Sequence, residues 1–104
     1  MHDEGLLQRC MDCLEGLGGP FHNKSVFTKR GLMRGKSMFA AVGVDGIVVK
    51  VPPAEYEAAL KRPGVRPFKP GGERKLGTWV EVSEDVVADD PELREWLATG
   101  LRAL

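Results

Sequence analysis

Reactive side chains are scarce in this sequence. Its 104 residues include two cysteines, two histidines, one tyrosine and seven aromatic residues in all. Seven aromatics are too few for a base-stacking platform, and Phe27, Phe39, Trp79 and Trp96 read as core. Net charge is missing as well: 15 basic residues cancel 15 acidic ones, so bulk charge names no partner. No apolar run approaches the ~20 residues needed to cross a bilayer. The opening MHDEGLLQRC has neither the basic start nor the apolar stretch of a signal peptide. A soluble cytoplasmic protein without membrane contact is the expectation.

What remains is ordinary globular composition, 42% hydrophobic and 29% charged, which argues against disorder. The length fits one domain over residues 1–104, able to bury a little over ~60% of its unfolded surface. Charge is unevenly distributed along it. Residues 1–23 carry a net −3, residues 24–75 a net +8 and residues 76–104 a net −5. The acidic ends folding against the basic middle would cancel this; an anion-binding face would exploit it.

Hydrophobic spacing sets the elements. Leu7, Cys10, Leu14 and Leu17 recur at helical spacing, which predicts a helix over 3–17 with Asp3 as cap and Gly18-Gly19-Pro20 as its end. Residues 24–51 are rich in Val, Ile, Phe and Met and punctuated by glycine. They predict three antiparallel strands near 25–33, 37–43 and 47–51, linked by hairpins at Gly35 and Asp45-Gly46. Pro52-Pro53 ends the third strand and opens a short helix over 54–61 that Pro63 stops. A strand over 78–83 follows, with an edge strand near 66–68 as an option. Asp90 as cap, Pro91 and Glu92 begin a last helix, with Leu93, Trp96, Leu97, Leu101 and Leu104 as its stripe. The fold class is α+β: two layers, helices on an antiparallel sheet of four to five strands, in the order α-β-β-β-α-β-β-α.

Several stretches look like chemistry. GLMRGKS, residues 31–37, ends like a phosphate-binding loop, but Gly31 precedes Gly35 by four positions rather than five, and the MFAAVGV that follows is strand-forming, not helix-forming. A hairpin turn explains it better. Cys10 and Cys13 form a C-x-x-C, yet they fall mid-helix without a preceding strand, and only His2 and His22 are there to complete a zinc site. Cys10 in the core with Cys13 at its edge is the expectation. The acidic run Glu84, Asp85, Asp89, Asp90 and Glu92 lacks calcium-loop spacing and reads as a helix cap with solvated surface. No catalytic constellation, metal site or cofactor follows, and the chain reads as a non-enzyme.

The basic segments alone have functional promise. Lys24, Lys29, Arg30, Arg34 and Lys36 fall within thirteen residues that contain no acid. Arg66, Lys69, Arg74 and Lys75 make a second cluster. On adjoining strands and loops the two would form an anion or nucleic-acid patch.

The order of these motifs resembles the N-terminal domain of the TfoX (Sxy) competence-regulator family. SVFTKRGLMRGKSMFAAVGVDGIVVKVPP, a short helix, GVRPFKPGG, GTWVEVS and DDPELREWL follow one another as in that family. The matching positions are Phe27, Gly31, Gly35, Lys36, Phe39, Asp45, Gly46, Lys50, Pro67, Phe68, Trp79, Pro91 and Leu93. The family's Met-Phe-Gly-Gly signature is Val26-Phe27-Thr28-Lys29 here, so its glycine pair is lost. The resemblance implies a stand-alone domain with a regulatory, non-catalytic role exercised through contacts with an unidentified protein, a homodimer among them; it brings no catalytic residues. A nucleic-acid accessory role is the alternative.

Overall fold

The computed structural model describes residues 2–104. Its elements are α1 (Glu4–Leu14), β1 (His22–Val26), β2 (Lys29–Arg34), β3 (Ser37–Val42), β4 (Gly46–Lys50), a 3-10 turn (Pro53–Glu55) continuing into α2 (Tyr56–Leu60), β5 (Val65–Pro67), β6 (Trp79–Ser83) and α3 (Asp90–Arg102). The strands form one sheet in the order β1-β2-β3-β4-β6-β5, every neighbouring pair antiparallel. The α+β, two-layer class stands. The sheet has six strands rather than four or five, and a fourth strand precedes the central helix.

The extra strand arises where the sequence shows no turn. The segment expected as one strand over 25–33 is a hairpin, with Val26 paired to Lys29 and Phe27-Thr28 as its two-residue loop. Such loops need a positive φ and usually mark themselves with Gly or Asn; here Phe27 itself takes φ 54°. Its ring, expected in the core, is fully exposed. The next two hairpins are glycine-marked as expected, with Gly35 at φ 63° and Gly46 at φ 150°. A Cβ at Gly46 would also stand 2.1 Å from the Val82 carbonyl oxygen, so β4 and β6 approach too closely there for any side chain.

Caps and breakers act much as expected. Asp3 accepts from the Leu6 N–H at 3.0 Å and starts α1. That helix stops at Leu14, before the predicted Leu17, and tightens into i→i−3 bonds over residues 15–17. At α3 the cap position belongs to Asp89, not Asp90. Asp90 is the first helical residue, and its carboxylate is taken by Arg9 of α1 at 2.9 Å. Arg9 also donates to the Val87 carbonyl at 2.8 Å, so one guanidinium locks α1 to the start of α3. Edge strand β5 is three residues long and ends in Pro67, in keeping with the restriction of proline to sheet edges.

Both long helices lie on one face of the sheet. That face is Leu32, Ala40, Val42, Ile47, Val49, Val80 and Val82, packed with Leu6, Cys10, Leu14, Leu93, Trp96 and Leu97 in one core. Within β6 the two valines enter that core, and Trp79, expected there, is left half-buried on the opposite face. The register slips between Leu32 and Met33, which pair with Ala40 and Met38. Phe39 is thereby the extra residue of a bulge, fully buried, with its ring edge-on to Phe21 at 5.8 Å. Above it, α3 comes so close that a Cβ at Gly100 would stand 2.6 Å from the Phe39 carbonyl oxygen.

Two stability effects follow. Gly100→Ala, which should help an isolated helix by about 1 kcal/mol, is expected instead to destabilise the protein by about 1–3 kcal/mol through overpacking, read as a lower urea midpoint. Tyr56 Oη is buried without a hydrogen-bond partner among the described residues, so Tyr56→Phe removes an unsatisfied group. Its midpoint should equal or exceed that of the wild type.

Candidate interaction surface

Side chains alternate along a strand, so the opposite face of the sheet is also fixed by register. It carries Lys24 and Val26 on β1, Lys29, Gly31 and Met33 on β2, Met38 and Ala41 on β3, Val48 and Lys50 on β4, Trp79 and Glu81 on β6, and Arg66 on β5. Neither α1 nor α3 packs here. Even so, Met33, Ala41 and Val48 are buried, and they stand apart from the helix-side core.

Curvature accounts for that burial. In a flat sheet β2 and β5 would lie ~19 Å apart, at ~4.8 Å per strand step, beyond the reach of a lysine. Yet Lys29 Nζ sits 5.7 Å from the centroid of Phe68, just after β5. Its stem crosses Gly43, where an added Cβ would be 3.2 Å from Nζ. The sheet and the segment after β5 therefore curl over this face and make it concave. At the end nearest the β1–β2 and β3–β4 turns they enclose a groove of about 920 Å³, lined among others by Lys29, Val48, Gly64, Arg66, Glu81 and Ser83. Side chains close over the floor at Gly31, where a Cβ would stand 2.8 Å from Met38 Sδ and 2.9 Å from Val26 Cγ2.

The predicted basic residues are only partly brought together. Lys29 and Arg66 flank the groove, with Arg66 paired to Glu81. Arg34 and Lys36 are exposed at the β2–β3 turn, ~17 Å along β2 from Lys29 at ~3.4 Å per residue. Lys69 and Arg74 are exposed in the loop between β5 and β6. Lys75 lies over the Tyr56 ring at 4.5 Å, on α2. Arg30 points to the helix side of the sheet and donates to Asn23 Oδ1 at 2.6 Å and to Ser25 Oγ at 2.8 Å. The eight residues thus do not converge on a single patch. Sequence proximity missed Lys50, which shares the concave face with Lys24 and Lys29; only strand register identifies it. Among the described residues, the strands of that face hold four cations, Lys24, Lys29, Lys50 and Arg66, against one carboxylate, Glu81, already engaged by Arg66; Asp45 adds a second carboxylate where the β3–β4 turn lines the groove. Beside them are Phe27, at 101% of full exposure, and Val44, at 54%, on neighbouring turns.

The remaining candidates lie elsewhere. Cys13, expected at the rim of the core, is inside it with Cys10. Burial pushes the Cys10 thiol up to about 12, Cys13 adding to the effect and Arg9 opposing it. Burial, then the Asp90 charge, raises Cys13 as well. Among the described residues, no three His, Cys, Asp or Glu side chains gather as metal ligands, and no helix is long and apolar enough to cross a membrane.

The raised thiols predict a pH effect of definite sign. An unfolded cysteine ionises near ~8.5, so the folded state holds the proton longer. The resulting stability is fully present below about pH 8.5 and is lost as pH rises towards 12, by up to about 1.4 kcal/mol per pH unit. Urea unfolding between pH 8 and 10.5 should show a shallower decline for Cys10→Ala than for the wild type. In the native state at pH 8 both thiols should react with a disulfide reagent far more slowly than in urea.

No curated protein was matched by the chain. The profile of the TfoX N-terminal domain matches it over residues 12–104, from the last turn of α1 to just beyond α3. The match spans all six strands and the groove between them, and supports a regulatory domain at the level of the family. The chain belongs to the TfoX N-terminal domain family.

Proposed function

We propose that this domain is a non-catalytic regulatory module that holds an acidic protein partner on the concave face of its sheet. The observation that carries the reading is that face itself, free of α1 and α3 yet floored by buried Met33, Ala41 and Val48 and edged by Lys24, Lys29, Lys50 and Arg66. An apolar floor within a cationic rim suits a partner that offers apolar side chains between carboxylates. Exposed Phe27 and Val44 extend the apolar area towards the turns. Family membership supports regulation as the purpose of the contact.

The test is photo-crosslinking in the native cell. A benzophenone amino acid replacing Trp79, on the concave face, should give a protein adduct that the same probe replacing Glu95, exposed on α3, does not. Lys29→Glu with Lys50→Glu should weaken the adduct at least ~tenfold, since like charges placed across an interface cost several kcal/mol. Equal adducts from both positions would remove the reading. An adduct with nucleic acid that declines steeply with salt would replace it by the nucleic-acid alternative.

A further inference from the structure

Strand β1 is an open edge of the sheet, and it differs from the other edge in every respect that governs strand addition. Edge strand β5 is three residues long and contains Pro67, which has no N–H to give. Strand β1 is five residues, His22–Val26, without proline. Its two-residue loop fixes which of its main-chain groups are free. Val26 and Lys29 close the loop and exchange both hydrogen bonds, so bonding pairs recur at Lys24 with Gly31 and His22 with Met33. Asn23 and Ser25 accordingly turn their N–H and C=O groups away from β2.

Those two residues are held ready by Arg30. Its guanidinium donates to Asn23 Oδ1 and Ser25 Oγ, bracing the side chains of the residues whose main chains are unpaired. Arg30 has no carboxylate partner among the described residues. The surroundings are equally unbalanced. Residues 16–44, which supply β1, β2 and β3, contain five cations and no carboxylate. Long open edges are normally guarded, and the guards here, Lys24 and Arg30, are both positive.

We infer that β1 receives an extended acidic segment of the partner, which adds to the sheet as a seventh strand antiparallel or parallel to β1. Main-chain bonds to Asn23 and Ser25 give the register, and carboxylates meet Lys24 on one face and Arg30 on the other. The charge pattern selects this occupant over a second copy of the chain, because two acid-free edges would repel. The inference rests on the reading of the domain as a protein-binding module and names the segment it grips.

The probe is a fluorescent ten-residue peptide of repeating Glu-Glu-Val-Val, which sets carboxylates on both faces of a strand, followed by anisotropy at low salt. The acidic peptide should bind, weaken at least ~tenfold between 50 and 300 mM salt as screening sets in, and slow exchange of the Asn23 and Ser25 amides. The same peptide with lysine for glutamate, or with alternate backbone nitrogens methylated, should bind at least ~tenfold more weakly. Ser25→Pro should do likewise while leaving the far-ultraviolet spectrum unchanged, since the Ser25 N–H is not used by β2. Equal binding of acidic and lysine peptides, indifference to methylation, or absence of binding at low salt overturns the inference. Methylation changes the peptide alone, so its result stands even if Ser25→Pro misfolds. If the Trp79 crosslink survives while these tests fail, the partner reading stands and the strand-addition inference alone is lost.

Discussion

The molecule depends on the way α3 lies across β3 and β4 with nothing larger than hydrogen at Gly100. That contact, 2.6 Å from the Phe39 carbonyl oxygen to the position a Cβ would take, brings the helix onto the sheet backbone. It also requires the Leu32/Met33 bulge, which rotates Phe39 into the core beneath it. Once that side is filled by Leu93, Trp96 and Leu97, strand alternation leaves no freedom about what the other side carries. Arg9 fixes the same choice from the other helix by gripping the start of α3.

The concave face is the consequence. A sheet covered on one side presents its second side to solvent, and antiparallel sheets usually make that side polar. Here it is divided: Gly31, Ala41 and Val48 are too small to project, while lysines and an arginine stand around them. The curl that places Lys29 against Phe68 shelters the floor without a covering helix. Shape and charge on this face therefore follow from packing on the other.

Much of the fold was legible in the sequence because glycine and proline mark their positions by conformational necessity. Gly35, Gly46, Pro52-Pro53 and Pro91 each sit at the junction they indicated. The hairpin at Phe27-Thr28 was hidden because a phenylalanine adopts the φ that glycine usually supplies, so a strand–turn–strand read as one strand and its exposed ring read as core. Asp89 and Asp90 are interchangeable as caps on paper; in the structure Asp90 lies inside the helix, its carboxylate paired with Arg9 from the other end of the chain. For the surface, the sequence named the right kind of residue but grouped residues by chain position. β2 carries Arg34 away from Lys29, hydrogen bonds occupy Arg30, and register brings in Lys50. Cross-strand neighbours of this sort are visible only once pairing is known.

The contrast between the two edge strands has a bearing on assembly. A sheet that is receptive along both sides can propagate, each added unit offering the next a fresh template, and the end state is a fibre. In this sheet the β5 side is closed by its brevity and by Pro67, and only the β1 side has main-chain groups to share. Growth by strand addition is therefore confined to the β1 side of this sheet.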